Sequence, residues 1–204
     1  MPTSQPYQLG SIMELVVRSK PQSVLDVGVG FGKYGYLVRE YLEIWGDGDQ
    51  YEQWLRTIDG VEVFEPYIRE VQRAVYNEVF IGNATEVLPT LEKQYDLILL
   101  IDVLEHFTYE DGMTVLTAAL QKGRNIIVST PWDIGVQGEG YGNVYETHHF
   151  QWKKKHFNQW PHFLYPNHQS MIVFAGKDAA AVGKGLRGSL VKRQLKSIWR
   201  MLFG

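Results

Sequence analysis

The sequence contains no cysteine among its 204 residues. A thiolate nucleophile, a redox dithiol and a zinc site built on cysteine are therefore excluded. No stretch reaches the roughly 18 consecutive apolar residues of a membrane-spanning helix. The first residues also lack the basic region and apolar run of an export signal. These absences together predict a cytoplasmic protein.

Acidic residues are missing from residues 179–204, which carry six basic side chains, whereas residues 1–178 carry 23 acidic and 14 basic ones. An acidic body repels a phosphate backbone, so we expect no nucleic-acid partner. Residues 190–203 place apolar side chains on one helical face and basic ones on the other, which predicts a basic amphipathic helix within 179–204. Two alternatives are open for this helix: peripheral contact with an anionic membrane, or packing on the body or on a second subunit.

The overall composition, with 45% hydrophobic and 21% charged residues, is typical of one globular domain. Runs rich in valine, isoleucine and leucine alternate with longer segments of helical period, as in βαβ units. We therefore predict an α/β domain over residues 1–178 with a doubly wound, mostly parallel sheet. Its parallel strands are predicted at Ser23–Val27, Ile58–Val63, Val79–Ile81, Asp96–Ile101 and Asn125–Ser129.

The character of the chain changes after Pro131, because residues 132–165 hold nine of the 27 aromatic residues and four of the six histidines. We predict an aromatic-rich cap at about 132–162, whose rings either line a binding site or form a small core. A turn at Pro166-Asn167 then predicts an antiparallel C-terminal hairpin between Phe163–Tyr165 and Ser170–Ala175.

A glycine-rich turn follows the first predicted strand, where Asp26 is followed by Gly28, Gly30 and Gly32. Glycines allow a ligand to approach the backbone closely, and the helix that follows offers free N–H groups. The turn therefore predicts a site for a nucleotide-like cofactor. A phosphate-binding P-loop is excluded, because Val27 and Tyr34 stand where that loop needs glycine and serine or threonine.

The segment from Gly30 to Gly35 also matches the dinucleotide pattern G-x-G-x-x-G. Against a dinucleotide enzyme, the chain has no Tyr-x-x-x-Lys pair and no room for a second large domain. An NAD(P)-dependent oxidoreductase remains an alternative function, as does a non-catalytic nucleotide-binding module.

The spacing Asp26-x-Gly28-x-Gly30-x-Gly32 resembles motif I of the class I S-adenosylmethionine-dependent methyltransferases. That resemblance implies that these four residues hold the methionine end and the ribose of the cofactor.

Two further segments extend the resemblance to the next two strands. It implies that Glu62, with Val63 beside it, accepts hydrogen bonds from the ribose hydroxyls, and Glu65 is the alternative acceptor. Asn83, followed by Ala84, stands where the family usually has an acidic residue that meets the adenine amino group. Asn83 could equally be the N-cap of the next helix.

The fourth strand ends in Asp102-Val103-Leu104-Glu105-His106, which resembles the Asp-x-x-Glu-His of many small-molecule methyltransferases. The resemblance implies that Asp102 and Val103 flank the cofactor and that His106 faces the acceptor. His148 and His149 in the predicted cap form a second pair of candidates. We predict His106 and His149 as the catalytic residues, because histidine is the usual base near neutral pH.

The same segment can also be interpreted as part of a metal site. Asp102, Glu105, His106 and His149 offer oxygen and nitrogen ligands, and the set resembles the Glu-x-x-Glu-His of some metal-assisted members of the fold. Asp102 departs from that set, so we predict a site without metal.

The predicted function is methyl transfer from S-adenosylmethionine to a small-molecule acceptor, at a hydroxyl of a sugar or secondary metabolite. The signature Asn/Asp-Pro-Pro-Tyr of amino-methyltransferases is absent, which disfavours methylation of adenine or glutamine nitrogen.

We expect the protein to bind S-adenosylmethionine and S-adenosylhomocysteine in preference to NAD and NADP. Glu62→Ala removes the acceptor of two charge-assisted hydrogen bonds, so binding should weaken by about 10² to 10⁴. Thermal shift and calorimetry on the wild type and the variant measure both effects. Preferential binding of NAD would contradict the assignment of the glycine-rich turn.

Overall fold

A computed structural model describes residues 3–45, 53–186 and 188. One seven-stranded sheet forms the centre of the protein. Its strands are β1 (Ser23–Val27), β2 (Thr57–Glu62), β3 (Glu78–Ile81), β4 (Tyr95–Ile101), β5 (Gly123–Pro131), β6 (His162–Tyr165) and β7 (Ser170–Gly176). Their order across the sheet is β3-β2-β1-β4-β5-β7-β6.

The first five strands are parallel to one another, and β7 pairs antiparallel with both β5 and β6. The predicted α/β class, the mostly parallel sheet and the antiparallel hairpin are confirmed. Sequence order reverses between β1 and β4, and in such sheets ligands bind at the carboxyl ends of the strands near this point.

In the described part of the chain before β5, α1 (Leu9–Ser19) precedes the first strand. The helices that connect successive parallel strands are α2 (Lys33–Arg39), α3 (Glu70–Val75), α4 (Ala84–Thr90) and α5 (Tyr109–Lys122). A π-helical turn, Glu40–Ile44, continues α2. Among the described helices, none is both long enough and apolar enough to cross a membrane.

Alternate residues of β4 point to the two faces of the sheet, and both faces are buried. Leu97 and Leu99 belong to the core that contains α1 and α2, whereas Ile98 and Leu100 belong to the core that contains α4 and α5. Burial on both faces explains why this strand is a continuous apolar run in the sequence.

Residues 179–186 are helical after β7, and Ala179 and Leu186 are buried. The remainder of the predicted basic helix at 179–204, apart from residue 188, lies outside the described residues. Its membrane and self-association alternatives therefore stay predictions.

Two helical glycines allow a matched test of packing. A Cβ at Gly35 in α2 would lie 2.2 Å from Cζ of Tyr76, whereas a Cβ at Gly10 in α1 would meet nothing within 4 Å. We expect Gly35→Ala to reduce the free energy of unfolding by about 1–3 kcal/mol because of overpacking. Gly10→Ala should raise it by up to about 1 kcal/mol through helix propensity. Urea denaturation measures both, and equal effects of the two substitutions would contradict this packing.

Candidate functional site

A pocket opens at the carboxyl ends of β1, β2 and β4, where the sheet topology predicts a ligand site. The segment between β5 and β6 covers one side of it, and the N-terminal residues Thr3, Ser4 and Gln5 cover another. Of the residues predicted to bind the cofactor, those that line this pocket are Gly28, Gly30, Glu62, Val63, Asn83, Ala84, Asp102 and Val103.

The glycine-rich turn leads from β1 into α2 with a backbone that favours glycine. Gly28, Gly30 and Gly32 have φ angles of 80°, 50° and 86°. A Cβ at Gly28 would lie only 2.6 Å from Cγ2 of Val103, which follows β4. Gly28 is therefore required both by its conformation and by the close approach of the β4 end.

Glu62 at the end of β2 is buried and is held by the backbone around it. Its Oε2 accepts a hydrogen bond from the Gly30 N–H at 2.8 Å, and its Oε1 accepts one from the Phe64 N–H at 2.8 Å. Burial raises the pKa of the carboxyl, which these two hydrogen bonds oppose. A carboxylate oxygen has two acceptor positions, so Glu62 can accept further hydrogen bonds from ligand hydroxyls.

Asp26 and Gly32 do not line the pocket, although both were predicted to contact the cofactor. The carboxylate of Asp26 accepts a hydrogen bond from the Tyr76 hydroxyl at 2.5 Å, and that hydroxyl accepts one from the Gly35 N–H. Gly32 is the N-cap residue of α2, and its Cα faces the side chain of Gln72. Both residues support the glycine-rich turn and do not line the pocket.

Asn83 lines the pocket, but its side-chain oxygen serves the next helix. Oδ1 accepts hydrogen bonds from the Thr85 N–H at 3.1 Å and from the Thr85 hydroxyl at 3.0 Å. Asn83 is therefore the N-cap of α4, which was one of its two predicted roles. Because the oxygen already accepts twice, the structure does not favour it as the partner of an adenine amino group.

Asp102 is bound to the N-terminal segment. Its carboxylate accepts hydrogen bonds from the Gln5 N–H at 3.2 Å, from Gln8 Nε2 at 2.6 Å and from the Ser129 hydroxyl at 2.8 Å. Its φ is 53°, an uncommon value for a residue other than glycine. Asp102 thus fixes the N-terminal segment over the pocket.

The other end of the pocket brings together Glu105, His106 and His148. One ligand atom from each lies within 4.8 Å of the others, and the two imidazole rings are 5.0 Å apart. Burial lowers the pKa of His106, so the neutral imidazole predominates near neutral pH. These three residues could hold a metal ion, in a set that includes neither Asp102 nor His149.

His149 does not share this end of the pocket. Its side chain is exposed and does not line the pocket, and its backbone N–H donates to the Glu105 carbonyl at 2.8 Å. The neighbouring His148 takes the position expected for His149. The sequence does identify the pair, but no periodic pattern in an irregular segment indicates which of two adjacent side chains faces inward.

The aromatic residues of the predicted cap divide between core and pocket. Trp152 and Phe157 are 1% and 0% exposed and belong to the core, whereas Tyr145 is 47% exposed and lines the pocket. The indole N–H of Trp152 donates to the Leu104 carbonyl at 2.8 Å, which joins the cap to the segment after β4.

Comparison with solved structures places the chain in the class I methyltransferase fold. A SAM-dependent methyltransferase from Archaeoglobus fulgidus is 15% identical with a TM-score of 0.59, and the match covers 83% of this chain and 91% of that one. An O-methyltransferase family protein from Burkholderia thailandensis is 11% identical with a TM-score of 0.58, over 83% of this chain and 56% of that one. PigF, solved with SAH, is 15% identical with a TM-score of 0.55, over 83% and 56%.

The chain thus spans little more than half the length of the Burkholderia thailandensis protein and of PigF. No protein-family model and no curated protein matches the sequence.

Asp26 makes the stability of the protein depend on pH. Burial is the main cause that raises its pKa from 3.8 to about 7. The unfolded chain therefore releases this proton near pH 4 and the folded chain near pH 7. Asp26 favours folding at low pH, and this contribution is lost as the pH rises through that window.

We expect the free energy of unfolding of the wild type, relative to Asp26→Asn, to fall by up to about 1.4 kcal/mol per pH unit between pH 4 and 7. Urea denaturation across that range measures the difference. Parallel profiles for the two proteins would contradict the raised pKa.

Proposed function

We propose that this protein transfers a methyl group from S-adenosylmethionine to a hydroxyl oxygen of a small molecule, such as a sugar or a secondary metabolite. One observation carries the proposal. A single pocket at the carboxyl edge of the sheet extends from Glu62 and the glycine-rich turn to His106 and His148. A cofactor and an acceptor bound at these two ends would meet inside the pocket.

The cofactor end suits a nucleoside with a ribose diol. The acceptor positions left on Glu62 can take hydrogen bonds from adjacent hydroxyls, and Gly28 and Gly30 line the pocket with it. Val63 and Ala84 supply apolar surface beside Glu62 for a planar base. S-adenosylmethionine, when bound, supplies an electrophilic methyl group on a sulfonium. The protein's main task is then to align the acceptor with that methyl group.

The acceptor end suits a hydroxyl group. Nδ1 of His106 lies 3.2 Å from the Thr147 carbonyl, and Nδ1 of His148 lies 2.6 Å from the Ile134 carbonyl. A carbonyl only accepts hydrogen bonds, so each Nδ1 carries the proton and each Nε2 keeps a lone pair. Two Lewis-basic nitrogens at this end can promote loss of the hydroxyl proton. The likeness to an O-methyltransferase family protein supports oxygen as the acceptor atom.

The pocket lining supports a small polar acceptor. Gln137, Asn143 and Tyr145 line the pocket and carry hydrogen-bonding groups. We further propose that the protein acts in the cytoplasm, for which the absence of cysteine is the support.

The proposal is tested by assaying transfer of a labelled methyl group from S-adenosylmethionine to a panel of sugars, phenols and matched amines. We expect transfer to hydroxyl compounds. His106→Ala and His148→Ala should each lower kcat by about 10² to 10⁴. Binding of S-adenosylhomocysteine should stay within about threefold of the wild type, since neither residue lies at the cofactor end.

His149→Ala is the matched control, because this exposed side chain lies next to His148 in the chain, and its activity should equal that of the wild type. Transfer to amines alone would overturn the choice of oxygen. Absence of S-adenosylmethionine binding would overturn the proposed function as a whole.

A further inference from the structure

Backbone carbonyls fix both imidazoles at the acceptor end in one tautomer. Thr147 and Ile134 accept from Nδ1 of His106 and His148, respectively, so only the Nε2 atoms remain as ligands. Histidines that bind metals commonly donate their other ring N–H to a carbonyl or carboxylate, which orients the ring toward the ion. The two rings therefore already have the hydrogen bonds expected of a metal-binding pair.

Glu105 completes the group as a buried acid. Its side chain lines the pocket and the residue is 1% exposed, yet Oε2 has no hydrogen-bond partner in the part of the chain that the structure describes. Within residues 3–45, 53–186 and 188 it also forms no salt bridge with a basic side chain. Burial disfavours the charged form of this acid, and a cation beside it would stabilise the carboxylate.

The geometry points to a divalent transition-metal cation bound by Glu105, His106 and His148, and we propose this site as part of the protein. One ligand atom from each residue lies within 4.8 Å of those of the other two. A tetrahedral ion with bonds of about 2.1 Å would hold its ligands about 3.4 Å apart. Binding of a cation would therefore draw the three side chains closer together.

The ligand types select the class of cation. Magnesium and calcium prefer oxygen ligands, whereas imidazole suits zinc, cobalt, iron and nickel, and a carboxylate also suits manganese. Two imidazoles and one carboxylate form the protein ligand set of several catalytic zinc sites, which keep a fourth position open. The site thus favours a first-row transition metal with at least one open position toward the pocket.

A cation also accounts for the group better than a direct base does. A single imidazole is enough to take a proton from an alcohol. A cation gives the second ring, 5.0 Å from the first, and the carboxylate of Glu105 a common role as ligands.

The role of the cation in the reaction rests on the proposed function. The acceptor hydroxyl would occupy the open position, where the cation lowers its pKa and its proton passes to water. The resulting oxygen forms the bond to the methyl carbon while the carbon–sulfur bond breaks and its electron pair stays on sulfur. The acceptor class is therefore an alcohol, phenol or sugar whose methylated oxygen can bind a metal.

The site is tested with the full chain, freed of metal by a chelator and titrated with Co²⁺. We expect visible absorption bands of cobalt bound to nitrogen and oxygen at one equivalent. Glu105→Gln and His148→Ala should each weaken binding by at least about 100-fold, because even loss of a group that only hydrogen-bonds a metal ligand costs about 10- to 100-fold. His149→Ala should bind Co²⁺ as the wild type does.

Binding of S-adenosylhomocysteine by every variant verifies that each is folded, and it separates this inference from the proposed function. Absence of stoichiometric Co²⁺ binding in the wild type, or equal binding by Glu105→Gln and His148→Ala, would overturn the metal site. Methyl transfer that persists at full rate in metal-free protein would overturn the role of the cation while leaving the proposed function intact. Stoichiometric Co²⁺ binding without any binding of S-adenosylmethionine would support the metal site and overturn the proposed function.

Discussion

The close approach of Gly28 to Val103 is the contact on which the geometry of the pocket depends. Parallel β1 and β4 are neighbours, so the segments that follow them leave the sheet side by side. A Cβ at Gly28 would lie 2.6 Å from Cγ2 of Val103, and a side chain there would force the two segments apart. Because glycine permits this approach, the turn proposed to hold the cofactor adjoins the segment that carries Glu105 and His106.

The second constraint is the attachment of the cap to that same segment. The indole N–H of Trp152 donates to the Leu104 carbonyl, and the ring packs where a Cβ at Gly112 would be 2.3 Å away. The His149 N–H also donates to the Glu105 carbonyl. These contacts fix the chain just beyond His148, so the position of that imidazole follows from packing against residues 104–112, far away in the sequence.

Three of the buried acids at or next to the pocket are accommodated in three different ways. Asp26 is bound to the Tyr76 hydroxyl, and its pKa is raised to about 7. Glu62 accepts two backbone N–H groups and keeps acceptor positions for a ligand. Glu105 has one oxygen without a hydrogen-bond partner among the described residues, and it is a ligand of the proposed metal site. Acidic side chains therefore serve the turn, the cofactor end and the acceptor end according to their partners.

The sequence by itself determined the strands, the glycine-rich turn and the place of Glu62, because apolar runs, glycine spacing and strand ends are local patterns. The predicted strand Ser23–Val27 has the observed bounds, and the antiparallel hairpin also forms. Only the tertiary structure decided that Asp26 faces Tyr76, 50 residues away, and that His148 instead of His149 lies beside His106. The direction of a side chain in an irregular segment depends on long-range packing, which no local pattern encodes.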